Sequence, residues 1–265
     1  MNFREQLKDP TEAMKTLFDK GLVVMEGDEN ITDKDLTDFA SHWGELCPQA
    51  SKFWYNGNSK VAELSAGKMF GTSELGWHKD SSNTKPDYAG TMLYNKSETD
   101  IKSSTFFVGT TTYNNPDKYK FFYHTWGSNH TLLDEKENRI VEILNRGGRH
   151  ADRLRKKLNW NTDLINIQPE KRPFKDTHPI TGKTVYYCSP ATMMGNQDTV
   201  NKLTEEFIEQ NVNVEHKWKR HQVIIWDNFV WFHKRYATEE HRCMLRVNFS
   251  FDAVSYTHLT LPTKA

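Results

Sequence analysis

Three side chains carry the most specific chemistry this sequence can offer. His78 and Asp80 stand two residues apart in Gly76-Trp77-His78-Lys79-Asp80. On a strand, side chains alternate, so the two point to one side. A further imidazole, His233, ends the downstream run Ile225-Trp226-Asp227-Asn228-Phe229-Val230-Trp231-Phe232-His233. Two neutral imidazoles and a carboxylate on one face of an octahedral ion leave positions open, the donor set of non-haem Fe(II) oxygenases. A bare His-x-Asp also occurs as a surface or hydrogen-bonded pair, so its weight comes from context. Beyond His233 lies His241-Arg242-Cys243-Met244-Leu245-Arg246, leading into the apolar Val247-Asn248-Phe249-Ser250-Phe251. Arg242 and Arg246 share a face if this segment is a strand, and a guanidinium presents a planar fork to a carboxylate. A metal triad followed by such a clamp suits an enzyme that chelates 2-oxoglutarate on iron and grips its distal carboxylate. Ordinary surface ion pairing is the alternative for both arginines.

These residues need elements to hold them. Pro10 to Lys20 reads as a helix, with Pro in the first turn, Ala13, Met14 and Leu17 on one face and Gly21 as a stop. Leu22 to Met25 is a short apolar strand. Thr32 caps a second helix with the stripe Leu36, Phe39, Ala40 and Trp43, ended by Gly44. From Val61 to Thr112 the chain breaks into short β-like runs, among them Thr91 to Tyr94 and Thr105 to Val108. Asp117 to Leu158 is polar and helix-prone, and Gly147-Gly148 interrupts it. Its basic run, Arg146 to Lys157, reads as a solvated helix face, since Asp152 interrupts the charge and no aromatic ladder accompanies it. Strands resume at Thr184 to Tyr187, a helix carries Val200, Leu203, Phe207 and Ile208, and Val223 to Trp226 and Met244 to Phe251 close the sheet.

Composition fits this reading. The chain has 265 residues, a size at which β-rich barrels are usually one domain. Aromatics make up 12% of the chain and supply core bulk. Lys and Arg total 35, as do Asp and Glu, so net charge gives no argument for nucleic acid or an acidic partner, and it permits a homo-oligomer. Three widely spaced cysteines, Cys47, Cys188 and Cys243, read as reduced thiols in a cytoplasmic protein. The N-terminal residues show no apolar signal region, and no window reads as a membrane span. Val254 to Ala265 is Thr-rich without periodicity and reads as an appended or disordered tail.

Six segments in order resemble the taurine/2,4-D dioxygenase (TauD/TfdA) family of Fe(II)/2-oxoglutarate-dependent oxygenases. They are Gly21 to Met25, Phe39 to Leu46, Gly76 to Ser82, Ser104 to Phe107, Thr177 to Lys183, and the ending Trp226-Asp227-Asn228 with His233, Arg242 and Arg246. The resemblance implies a mainly β fold with flanking helices, a double-stranded β-helix of the cupin-like jelly-roll type. It implies one domain over residues 1–253 with a lid-like helical insertion near 115–160. His78, Asp80 and His233 would be the iron ligands. Thr105 and Arg242 would hold the distal carboxylate of 2-oxoglutarate, and Arg246 would be a second cation near that carboxylate or near an anionic substrate. Tyr94 and Asn95 lie where the family often places substrate contacts.

The activity so implied consumes O2 and 2-oxoglutarate, releases succinate and CO2, and hydroxylates an unactivated C–H bond. The expected substrate is a small polar metabolite, an amino acid or another carboxylate or sulfonate. Asp80 points away from halogenation, for which related enzymes carry a small residue at that position. Three departures stand out: Ser103-Ser104 replaces a glycine pair, Phe229 replaces an Arg, and Cys47 to Ser51 replaces a segment that often supplies a substrate-binding His. The last puts taurine in question as substrate. Desaturation or oxidative cyclisation within the same family is the alternative outcome. A zinc hydrolase would need neither Arg242 nor Thr105, and a silent jelly-roll binding module would be expected to have a broken triad.

Overall fold

The computed structural model describes residues 1–48, 60–65, 72, 74–80, 89–124, 143, 148–150, 153, 170–238 and 242–251. Most of the insertion near 115–160, most of the basic run from 146 to 157, His241 and the tail from 254 lie outside these residues.

Two antiparallel sheets hold most of the strands, and over much of the chain successive strands alternate between them. The larger sheet runs β1 (Leu22–Glu26), β12 (Gln222–Asp227), β5 (Gly90–Asn95), β14 (Cys243–Phe249), β2 (Leu46–Cys47), and β3 (Val61–Ser65) also pairs with β14. The smaller runs β11 (Asn213–His216), β6 (Thr105–Gly109), β13 (Trp231–Arg235), β4 (Leu75–His78). The chain thus crosses from β4 to β5 to β6, and again from β11 to β12 to β13 to β14, changing sheet at every step. That winding is the jelly roll expected from the family resemblance.

Apolar alternation decides which sheet faces meet. Leu93, Ile224, Trp226 and Met244 from the larger sheet cluster with Phe107 and Trp231 from the smaller, and this is the interior. The residues between them point outward. Met92, Tyr94, Ile225, Leu245, Val247 and Phe249 lie under helices α1 (Phe3–Lys8), α2 (Thr11–Lys20) and α3 (Asp33–Ala40). Val108 and Phe232, on the far side of the smaller sheet, pack against α4 (Gln197–Gln210), Phe174 and Tyr186. Among the described residues no helix is long and apolar enough to cross a membrane.

Local signals account for most boundaries. Thr32 and Asp35 form a reciprocal capping box at the start of α3. That helix ends at Ala40, earlier than the Gly44 stop expected. The Ser41 hydroxyl donates to Asp38 O at 2.6 Å, and a turn then lets Trp43 stack on Phe249, with ring centroids 5.5 Å apart. The region expected to be helical from Asp117 opens instead with a strand, β7 (Phe121–His124), paired with β8 (Glu170–Pro173). Its aromatic run Phe121-Phe122-Tyr123 favours a pleated surface over a helix. Strands β9 (Lys175–Thr177) and β10 (Thr184–Tyr186) make a separate hairpin.

Gly21 closes α2 in the left-handed region, at φ +73°, with its N–H on Leu17 O and its own carbonyl receiving Asp227 N–H. A Cβ there would overlap the side chains of Val230 and Trp231. Gly21→Ala is therefore expected to cost about 2–4 kcal/mol in denaturant unfolding. A loss below about 0.5 kcal/mol would show that the helix sits loosely on the sheet.

Candidate active site

β13 and β4 lie side by side with His233 opposite His78, and β6 flanks the other edge with Phe107 opposite His233. β4 ends at His78, but the chain stays extended enough for Asp80 to turn toward the same space. His78 Nε2 lies 3.6 Å and His233 Nε2 4.0 Å from Asp80 Oδ1. The donor atoms of all three residues lie within 4.8 Å of one another. The two imidazole rings are tilted, with centroids 4.2 Å apart, and Trp226 stands edge-on to His233 at 4.8 Å.

The surroundings set the protonation state of His233 and Asp80 and orient His78. His78 donates Nδ1–H to Gly76 O at 2.7 Å, which turns its Nε2 toward Asp80. Burial, with repulsion from His78 and Arg246, pushes His233 down to about 3, so its ring is neutral. Burial alone would raise the pKa of Asp80. The adjacent His78, His233 and Arg246 outweigh it and hold the carboxyl below the usual carboxylate range. An ionised carboxylate beside two imidazoles, one of them held neutral by burial, is a set that fits a divalent transition ion.

The other oxygen of Asp80 is held by the larger sheet. Thr91 donates its hydroxyl to Asp80 Oδ2 at 2.8 Å, and receives Asn228 Nδ2 at 3.0 Å and Asn248 Nδ2 at 2.8 Å. Asn228 Oδ1 in turn accepts Trp226 Nε1–H at 2.9 Å. A hydroxyl has one proton and two lone pairs, and all are used here. The side chain of Asn228 thus serves this network, while Asp227 fixes the following turn by accepting Phe229 N–H at 2.7 Å. The readable signal was a Thr and an Asn inside apolar strands, which are costly to bury without partners.

Lys79 points to the opposite side from its neighbours and is buried. Its ammonium donates to Thr110 Oγ1, Tyr186 O and Phe229 O at 3.0, 3.2 and 2.8 Å, and burial pushes its pKa down to about 7. Its backbone N–H reaches Ser189 Oγ at 3.0 Å. Lys79 thus ties the end of β4 to four other segments.

The remaining expected site residues divide. Thr105 is interior on β6, where its hydroxyl accepts Trp218 Nε1–H at 2.9 Å. Arg242 is buried just before β14, and among the described residues its Nε and Nη1 have no hydrogen-bond partner. Arg246 lies on β14 opposite Leu93 and acts on the charges of Asp80 and His233. Tyr94 is not at this site. It lies on the helix-covered face, its hydroxyl donating to Asp28 O at 2.9 Å, because the strand's phase puts Thr91 and Leu93 inward. Asn95 is buried at the far end of β5, donating to Lys219 O and accepting Ser97 N–H, so its amide is spent on turns. His178 is a buried tie, donating Nε2–H to Asp227 and accepting Ile180 N–H and Thr181 N–H. Trp77 packs outward on Phe232 rather than walling the interior.

A family model described as taurine catabolism dioxygenase TauD, TfdA family, matches residues 2–248. The chain belongs to the TauD/TfdA family and is an Fe(II)- and 2-oxoglutarate-dependent dioxygenase. Among solved structures it is similar to AAD-2 in complex with Mn(II) and N-oxalylglycine, at 18% identity and a TM-score of 0.64, over 95% of this chain and 91% of that one. It is also similar to two proteins from Burkholderia xenovorans. One is provisionally described as an alpha-ketoglutarate-dependent taurine dioxygenase, at 15% identity and a TM-score of 0.64, over 99% of this chain and 94% of that one. The other is provisionally described as an alpha-ketoglutarate-dependent 2,4-D dioxygenase, at 18% identity and a TM-score of 0.57, over 94% and 90%. At these identities the likeness is one of fold. No curated protein matches in sequence.

Thr91→Val keeps the shape of the side chain but strands Asp80 Oδ2 and both asparagine amides. Unfolding in urea should show a loss of about 1–3 kcal/mol, with Thr91→Ser much closer to wild type. Equal midpoints for Thr91→Val and wild type would show that the network carries no stability.

Proposed function

We propose that this enzyme hydroxylates an unactivated C–H bond of a small polar metabolite, an amino acid or another carboxylate or sulfonate. His78, Asp80 and His233 hold the Fe(II), Thr105 and Arg242 grip the distal carboxylate of 2-oxoglutarate, and Arg246 supplies positive charge beside the reacting groups. The observation that carries this reading is the buried meeting of one ionised carboxylate with two imidazoles, their donor atoms within 4.8 Å. When bound, the iron supplies O2 activation coupled to decarboxylation of 2-oxoglutarate to succinate and CO2.

The chain's own residues do the positioning. Gly76 O orients His78, Thr91 turns one carboxylate oxygen of Asp80 away from the imidazoles, and Trp226 and Phe107 brace His233. The aromatic interior keeps water from the reacting groups. Buried Arg242 offers its fork to a carboxylate, and Trp218 occupies a lone pair of Thr105 so that the hydroxyl proton is free to donate to the same acceptor. Arg246, near Asp80, favours an anionic substrate. Residues 1–253 are read as one oxygenase domain, with the segment near 115–160 as its lid-like insertion; this is supported by packing of the N-terminal helices on the sheet that β14 helps to close.

Anaerobic Fe(II) with 2-oxoglutarate should give a weak visible charge-transfer band that is lost in His78→Ala and in Asp80→Ala. An unchanged band in both variants would refute the ligand assignment. Arg242→Ala should raise the 2-oxoglutarate requirement by roughly 30-fold or more, since removing one member of a buried charged pair costs about 2–5 kcal/mol. Succinate release, screened across amino acids and sulfonates, identifies the substrate. A product heavier by one oxygen supports hydroxylation, whereas loss of two hydrogens replaces it with desaturation or cyclisation.

A further inference from the structure

A second arginine stands beside Thr105 on the interior wall. In the β6–β13 register Arg235 is opposite Thr105, just as His233 is opposite Phe107. Alternation puts these four side chains on one face. Phe107 packs in the interior cluster, and Thr105 bonds the interior Trp218, which fixes that face as inward. The intervening Lys234 confirms the phase from the other side, with its ammonium over the outward Trp77 ring at 4.8 Å. Arg235 and Arg242 are each 3% exposed. Burial is the main cause of a lowered pKa at Arg242, and the charge of Arg235 adds to it, which places Arg235 within electrostatic reach of Arg242.

A carboxylate placed between two buried guanidiniums and beside the Thr105 hydroxyl would meet charge-assisted donors on each side. We propose that Arg235 is a second guanidinium of the 2-oxoglutarate distal-carboxylate site, working with Arg242 and Thr105 to select 2-oxo acids that bear a second carboxylate. The inference rests on the reading of Thr105 and Arg242 given under Proposed function. It draws one cation from each sheet's chain segments: Arg235 on β13 of the smaller, and Arg242 in the residue just before β14 of the larger. A purely structural role would have Arg235 only tie down the end of its strand, where Nη1 donates to Tyr236 O at 3.1 Å.

The two roles separate by calorimetry on the Mn(II)-loaded enzyme with 2-oxoglutarate and with 2-oxobutyrate, which lacks the distal carboxylate. Arg235→Gln should weaken 2-oxoglutarate roughly 10- to 100-fold, the equivalent of a charged hydrogen bond, and leave 2-oxobutyrate within about twofold. An unchanged 2-oxoglutarate affinity, or equal weakening of both ligands, overturns the proposal. Arg235→Lys keeps the charge without the fork and decides the matter if the Gln variant does not fold: a selective loss of 2-oxoglutarate affinity supports the proposal, and none rejects it. Arg242→Ala, measured alongside, tells the two failures apart. If it weakens 2-oxoglutarate while Arg235→Gln does not, only the role of Arg235 falls. If neither weakens it, the carboxylate site itself has been misplaced.

Discussion

The interior of this enzyme is arranged around one carboxylate kept ionised out of water. Burial works against the charge on Asp80, and the surrounding side chains must supply what solvent no longer does. Oδ2 takes the proton of Thr91, and Oδ1 faces two imidazole nitrogens. Thr91 can serve only because two asparagines occupy its lone pairs, and one of them is itself oriented by Trp226. A chain of polar side chains thus runs through the sheet interior beside the apolar cluster. Each member is satisfied by the next, which is the condition under which a buried network holds its shape.

The same arrangement explains why the two sheets must meet as they do. The imidazoles belong to the smaller sheet, while the Thr91 network belongs to the larger. Asp80 is the link between them, leaving β4 and reaching across to β5. Sheet-to-sheet separation and the geometry of the donor set are therefore one quantity. The helices on the outer face of the larger sheet and the aromatic cluster behind the smaller one press on this spacing from both sides.

Much of this was legible in the sequence because it depends on rare residue types or strong punctuation. His78, Asp80 and His233 stand out by chemistry, and α2 by Pro10 and Gly21 at its ends. Thr91 to Tyr94 reads as a strand, but its phase does not show in four residues that are all buried. The residue types therefore point to Tyr94 near substrate, whereas the fold turns Thr91 inward and Tyr94 under the helices. Strand β13 was hidden behind the turn signals at Asp227 and Asn228, and α1 is a single short helix with little periodicity. The parts of Arg235 and Trp218 depend on contacts between positions over a hundred residues apart, which leave no local trace.

Lys79 has a further significance for the fidelity of assembly. It occupies the odd position between two even ones, so a slip of β4 by one residue would turn an ammonium and an indole toward His233 in place of an imidazole and a carboxylate. Such an isomer would bring a cation where a cation is meant to bind. It would also abandon the cradle formed by Thr110, Tyr186 and Phe229, which would lose three hydrogen bonds from the ammonium. The misaligned fold is thus penalised on both faces of a four-residue strand, and pairing accuracy at this edge is secured by a side chain that never touches the reacting groups.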